Sequence, residues 1–140
     1  MRFFEQNHGV YFDDLDAFQV LHNARYLLLM ERTIGEFWLK MDWGTLLDPD
    51  QNPDQYHLVA ANHVDYHRPV QGVGRVRCRI WVEKLGRSSL TFGFSVLPTD
   101  EDTPHASGTR VVVKIDPQSR EAVPWTEEFR TAIGPYCRES

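Results

Sequence analysis

The chain has 140 residues, the usual size of one domain, and at that length a compact fold removes roughly two-thirds of its unfolded surface from water. Hydrophobic residues at 41% and charged residues at 25% exclude a disordered or fibrous chain. The 20 Asp and Glu outnumber the 15 Lys and Arg for a net charge of -5, which argues against general nucleic-acid binding, since that needs a basic face to displace counterions.

The longest apolar run, Tyr26 to Met30, is too short to span a bilayer. Met1 to His8 lacks the apolar stretch and cleavage site of a secretory signal. The two cysteines, Cys78 and Cys137, lie far apart and form no metal-type pair, although one disulfide stays open. These features lead us to expect a soluble cytoplasmic protein, with no membrane and no nucleic acid among its partners. No repeat or low-complexity segment divides the chain, so residues 1–140 are read as a single domain.

In chain order, Val10-Tyr11-Phe12 reads as a short strand ending at the acidic turn Asp13-Asp14-Leu15-Asp16. A helix of about Ala24 to Met41 follows, with Asn23 as its N-cap. Tyr26, Met30, Ile34, Phe37 and Met41 recur at spacings of three or four, and Leu27 and Trp38 widen the stripe. A helix this apolar calls for a partner that wraps it. Leu47 to Gln55, with two Pro-Asp pairs, is a loop inside the domain.

Beyond it the period becomes two. His57 to Arg68 is extended up to Pro69. Val76, Cys78, Ile80 and Val82 alternate with Arg75, Arg77 and Arg79, and Leu90, Phe92, Phe94 and Val96 alternate with Thr91, Gly93 and Ser95. Thr109, Val111, Val113 and Ile115 make a last strand, and Thr126 to Tyr136 a short terminal helix. Short connections imply an antiparallel meander with one buried face. The predicted class is α+β, a curved antiparallel sheet wrapped around one long central helix.

Several chemistries are excluded by spacing: there is no G-x-S-x-G, H-E-x-x-H, phosphate loop or C-x-x-C. Gly72-Val73-Gly74 is a turn. His63, Asp65 and His67 share one strand face and could ligate a metal, but an ordinary polar face is the preferred reading. Arg75, Arg77 and Arg79 suit phosphates, and equally a solvated sheet face, which is preferred. Glu31 beside Arg32 suits a salt bridge better than catalysis.

The informative stretch is Asp13-Asp14-Leu15-Asp16-Ala17-Phe18-Gln19-Val20-Leu21-His22-Asn23-Ala24-Arg25-Tyr26. Asp16 lies among Leu15, Ala17 and Phe18, at the edge of an apolar pocket where a carboxylate gains basicity. The helix that follows presents free amide hydrogens to the same region. A carboxylate and a donor end suit attack on a polarised carbonyl, though the same pairing also serves stability.

Asp14-x-Asp16 followed by Asn23 and Tyr26 resembles the signature of the 4-hydroxybenzoyl-CoA thioesterase-like family of hot-dog folds. Val64 to Val70, Gly86-Arg87-Ser88-Ser89 and Ala106 to Thr109 resemble its later strands in order, so the resemblance covers about Val10 to Glu128. It implies an acyl-CoA thioesterase hydrolysing an acyl-CoA thioester to free acid and CoA. Asp16 would be the nucleophile or general base, and the Asn23 backbone amide would hold the thioester oxygen. His22 would line the site and Tyr26 support it. No metal or bound cofactor is implied, CoA being part of the substrate. The family assembles as homodimers or homotetramers with sites between protomers. This chain departs from the pattern at Gln19, where glycine is usual, at Val20 for a histidine, and at His22 for an asparagine. Gln19 is accordingly a candidate substrate contact, and Arg87 and Ser88 are candidates for the CoA phosphates. Phe18, Leu21 and Trp38 are candidates for setting acyl-chain length. The rival reading is a non-catalytic module of the same fold that binds acyl-CoA or acyl carrier protein.

Overall fold

The computed structural model of the protein describes residues 1–43 and 50–138. Of the expected loop, residues 47–49 lie outside the described residues. Five strands form one antiparallel sheet: β1 (Phe4–Val10), β2 (His57–Tyr66), β3 (Gly74–Leu85), β4 (Ser89–Leu97) and β5 (Ala106–Lys114). The alternation in β3 and β4 sends Val76, Cys78, Ile80, Val82, Leu90, Phe92, Phe94 and Val96 inward, none more than 1% exposed. Each such side chain contributes about 1.5–3 kcal/mol on burial. Burial also pushes the Cys78 thiol up to about 12, so it stays a protonated core atom; both cysteines are free.

Against this concave face lies α1 (Asn23–Lys40), which buries Tyr26, Leu29, Met30, Thr33, Ile34, Phe37 and Trp38. The expected stripe is the buried one, with Leu27 and Met41 at its margins. The cap differs from expectation. His22, not Asn23, is the N-cap: its backbone is extended (φ -61°, ψ 137°), and its Nδ1 accepts the Ala24 N–H at 3.1 Å. Asn23 is therefore the first helical residue.

Three further corrections come from pairing that periodicity does not encode. The first strand is Phe4–Val10, and Phe12–Asp14 is a turn of 3₁₀ helix rather than strand. The strand order is β1-β3-β4-β5-β2. Only β3, β4 and β5 form the expected meander, while β2 pairs with β5 at the far edge. In β5 the inward positions are Ala106, Arg110, Val112 and Lys114, not the Thr109–Ile115 series. Two buried cations are tolerated because both are paired. Arg110 donates from Nη1 to Glu31 Oε1 and from Nε to Asn62 Oδ1, both at 2.9 Å. Lys114 Nζ donates to Asp54 Oδ1 at 2.9 Å and to the Pro124 carbonyl at 3.0 Å.

Asp54 also receives Thr126 Oγ1–H at 2.6 Å and Thr126 N–H at 3.0 Å, which fixes the N-cap of α2 (Glu127–Ile133). The chain then makes a 3₁₀ turn, Gly134–Tyr136, as the expected terminal helix runs out. Arg77 and Arg79 lie on the outer sheet face and are paired with Glu5 and Asp102 rather than left for phosphates. No described helix is long and apolar enough to cross a membrane.

Candidate active site

The segment between the acidic turn and α1 folds back on itself. Leu15 and Leu21 form an antiparallel bridge, Asp16 N–H donates to the Val20 carbonyl at 2.9 Å, and Gln19 N–H donates to the Asp16 carbonyl at 3.0 Å. Closing so tight a turn places Gln19 at φ 65°, the left-handed region that glycine enters without a Cβ penalty. The two aspartates have different surroundings. Asp14 is occupied: Oδ2 accepts Tyr11 N–H at 2.8 Å, Oδ1 lies 3.7 Å from Arg25 Nη1, and its carbonyl accepts His22 N–H at 2.9 Å. Asp16 uses one oxygen only. Oδ1 accepts Phe18 N–H at 2.8 Å and, at 3.5 Å, Val20 N–H, while Oδ2 has no partner among the described residues. The first carboxylate ties the loop to α1, and the second is half free.

Asp16 lines a cavity of about 480 Å³ together with Phe18, His22, Asn23, Tyr26, Tyr66 and Arg68 among others. That size falls in the range of small-ligand pockets. The Asn23 N–H has no intrahelical carbonyl to bond, because Asn23 opens the helix. The rings of Tyr26 and Tyr66 meet edge to face at 5.1 Å, and Tyr26 Oη accepts Val70 N–H at 3.4 Å. Burial pushes the Tyr26 hydroxyl up, so it remains a neutral wall group. A carboxylate oxygen and a helix-opening amide without partners among the described residues, beside an aromatic wall, suit addition to an activated carbonyl.

The model of the thioesterase-like superfamily matches residues 10–133. The chain belongs to the thioesterase-like superfamily. Its chemistry is accordingly thioester hydrolysis, and the fold is the hot-dog fold. The chain is 26% identical over 125 residues to the uncharacterised protein YsmA of Bacillus subtilis (strain 168), covering 89% of this chain and 81% of that one. The PA5185 protein of Pseudomonas aeruginosa strain PAO1 shares the fold at TM-score 0.83 and 21% identity, over 100% of this chain and 94% of its own. A thioesterase from Thermus thermophilus, complexed with coenzyme A and Zn, matches at TM-score 0.77 and 27% identity, over 94% of this chain and 92% of its own. Among the described residues of this superfamily member, no group of three or more His, Cys, Asp or Glu side chains could hold a metal ion. His63 instead bonds Asp65 at 3.0 Å, and His67 bonds Ser107 at 2.8 Å.

Of the residues expected at the site, Asp16, His22, Asn23 and Tyr26 are brought together in this cavity. Gln19 is exposed and does not line it; its contribution is the backbone turn. Arg87 and Ser88 sit on the β3–β4 connection. Their carbonyls accept Trp125 N–H and Lys114 N–H, and neither side chain reaches the cavity within one chain. Phe18 and Leu21 line the cavity, whereas Trp38 packs in the core against His57, Phe92 and Phe129. Tyr66 and Arg68, which no local motif marks, also line the cavity, as does His67, whose one weighed role in the sequence was as a metal ligand with His63 and Asp65. The signal available was Pro69, which ends the extended stretch where it turns toward the helix start. Arg68 is the only arginine among the cavity's residues, and it is tethered through Nη2 to Glu101 and to the Thr103 carbonyl.

Proposed function

We propose that this chain hydrolyses an acyl-CoA thioester, with Asp16 as its catalytic carboxylate. The observation that carries the reading is the pairing, in one cavity, of an Asp16 oxygen without a donor among the described residues and the Asn23 N–H without an intrahelical acceptor. In this reading the thioester oxygen accepts the Asn23 N–H. Asp16 either takes a proton from a water adding to the carbonyl carbon, or adds to it directly to give an anhydride that water then opens. As the tetrahedral species collapses the carbon–sulfur bond breaks, and the CoA thiolate leaves with the electron pair. The complex of the Thermus thioesterase with coenzyme A supports a CoA ester as substrate. Placing Arg87 and Ser88 at CoA phosphates would require a second protomer.

A second protomer is supported by the sheet edge. Among the described residues β2 pairs with β5 on one side only, and on its faces it carries Leu58, Val59 and Tyr66, each about half exposed. Antiparallel pairing of β2 with its copy would cover that edge and give a homodimer, with a homotetramer as a further assembly. The test of the reading is thiol release from acetyl-, hexanoyl-, palmitoyl- and benzoyl-CoA by the wild type and Asp16→Asn. Replacement is expected to lower turnover at least about a hundredfold, the contribution typical of a general base. Equally slow release by both proteins, with ligand still bound, would instead make the chain a binding module for acyl-CoA or acyl carrier protein.

A further inference from the structure

The first peptide group of α1 is held at both ends by side chains of the cavity wall. The carbonyl of Asn23 accepts the Tyr66 hydroxyl at 3.0 Å, and the N–H of Ala24, on the same peptide plane, donates to His22 Nδ1 at 3.1 Å. On the other flank, His22 N–H is fixed to the Asp14 carbonyl at 2.9 Å. The amide between these anchors is that of Asn23, the donor the thioesterase reading assigns to the substrate oxygen. An exposed first turn ordinarily frays. Here it is clamped by a tyrosine from a sheet edge 43 residues away and by the capping histidine.

We infer that Tyr66 and His22 are positioning residues that fix the Asn23 N–H by gripping the neighbouring peptide from opposite ends. The inference rests on the thioesterase reading of this cavity and goes beyond it. Oxyanion donors act only when aimed at the place where charge develops, and a misplacement of about 1 Å can lower a rate about a hundredfold. Tyr66 supplies the aim from outside the helix: its hydroxyl donates to the carbonyl, and its ring is braced edge-on by Tyr26 at 5.1 Å. His22 supplies it from within, in the tautomer that leaves Nδ1 unprotonated, because the Ala24 partner is itself a donor. An asparagine at position 22 has a side-chain oxygen able to make the same cap, whereas alanine has none.

The purified full chain is assayed for thiol release from hexanoyl- and benzoyl-CoA beside Asp16→Asn, Tyr66→Phe, His22→Ala and His22→Asn, with thermal melts of each. Tyr66→Phe keeps the ring and removes the grip. It is expected to lower kcat about tenfold to a hundredfold while KM stays within about twofold and the protein melts as a folded chain. His22→Ala lowers kcat comparably, and His22→Asn recovers most of it. A mere wall residue would move KM and would gain nothing from asparagine. Wild-type kcat in Tyr66→Phe, or no recovery in His22→Asn over His22→Ala, overturns the inference, and an inactive Asp16→Asn in the same assay leaves the thioesterase reading standing. Full activity in Asp16→Asn, or no release by the wild type, overturns that reading and the inference with it.

Discussion

Gln19 and Gly72 are joined by a hydrogen bond between two left-handed residues: Gly72 N–H donates to the Gln19 carbonyl at 2.9 Å, with φ 72° and 65°. Beside it, Val20 bridges Gln71 and Leu21 N–H donates to the Val70 carbonyl at 2.9 Å. The loop that carries Asp16 is thus stitched onto the segment between β2 and β3. Both turns must keep positive φ for the stitch to close. One has glycine, and the other has glutamine.

Gln19→Gly removes a side-chain penalty of about 1 kcal/mol in the left-handed region and returns a similar amount to the unfolded chain as entropy. Its stability is expected to stay within about 1 kcal/mol of wild type by urea titration, with thiol release retained. Gln19→Val places a β-branched residue at φ 65° and is expected to lose about 1–2 kcal/mol and part of its turnover. Equal stability of the valine and glycine variants would contradict the strained turn.

The elements legible in the sequence were those whose inward positions are all apolar. Val76 to Val82 and Leu90 to Val96 fill the concave face as their alternation requires, and the α1 stripe meets it. β1 was hidden because Gln6 and His8 occupy inward-facing positions between Phe4 and Val10. β5 was read on the wrong face because Arg110 and Lys114 point inward, each neutralised by a carboxylate from a distant segment. Nothing local announces such a partner. The site divided in the same way. Asp16, His22, Asn23 and Tyr26 are close in sequence and could be read together, while Tyr66 and Arg68 arrive only because β2 crosses to the edge beside β5.

The Asp54–Lys114 pair is buried, with both residues 4% exposed. Asp54 gathers Lys114 and both donors of Thr126, so its loss leaves Lys114 without a counter-charge and strips both Thr126 donors of their acceptor. Asp54→Ala is expected to destabilise by about 3–5 kcal/mol in chemical denaturation. The double variant Asp54→Leu, Lys114→Met leaves no charge buried at this pair's position and should lose less than the single one. A loss under about 1 kcal/mol in Asp54→Ala would mean that the pair holds little.

Acid should weaken the fold through histidine. Burial beside Trp38 and Trp125 pushes His57 below its ordinary 6.5, against the opposing pull of the Asp54 carbonyl and carboxylate. Burial lowers His8 and His105 as well. The unfolded chain therefore takes up protons that the folded chain refuses. Stability is full above 6.5 and falls as pH drops through that value toward the lower folded values. The melting temperature is expected to fall between pH 7.5 and 5.5, and by less in His57→Gln. A melting temperature independent of pH over that interval would refute the role of these rings.

Gly108 allows β2 and β5 to meet. A Cβ there would lie 1.9 Å from the His63 carbonyl oxygen and 2.9 Å from the Phe94 ring, one of them backbone that cannot swing aside. Gly108→Ala is expected to cost about 1–3 kcal/mol, the usual range for overpacking. Loss of protection at β2 amides, read by hydrogen exchange, should exceed that at β3. Uniform protection across the sheet would show that the strands absorb the methyl group without parting.

The open edge of β2 predicts an assembly state that can be broken without unfolding the chain. The wild type is expected to sediment as a dimer or larger at micromolar concentration, because an apolar edge with unpaired backbone groups draws a second strand. Leu58→Lys with Val59→Lys places charges on both faces of that edge. Lysines on both faces of that strand would oppose its pairing with a copy, and edge lysines are a common device against strand addition. The double variant should sediment as a monomer while keeping a cooperative unfolding transition, since both side chains are about half exposed already and carry little of the core. If thiol release falls with the dimer while the fold persists, residues from the partner complete the site. A wild type that stays monomeric at micromolar concentration would remove β2 as an assembly edge, and with it the route by which Arg87 and Ser88 could reach a bound CoA.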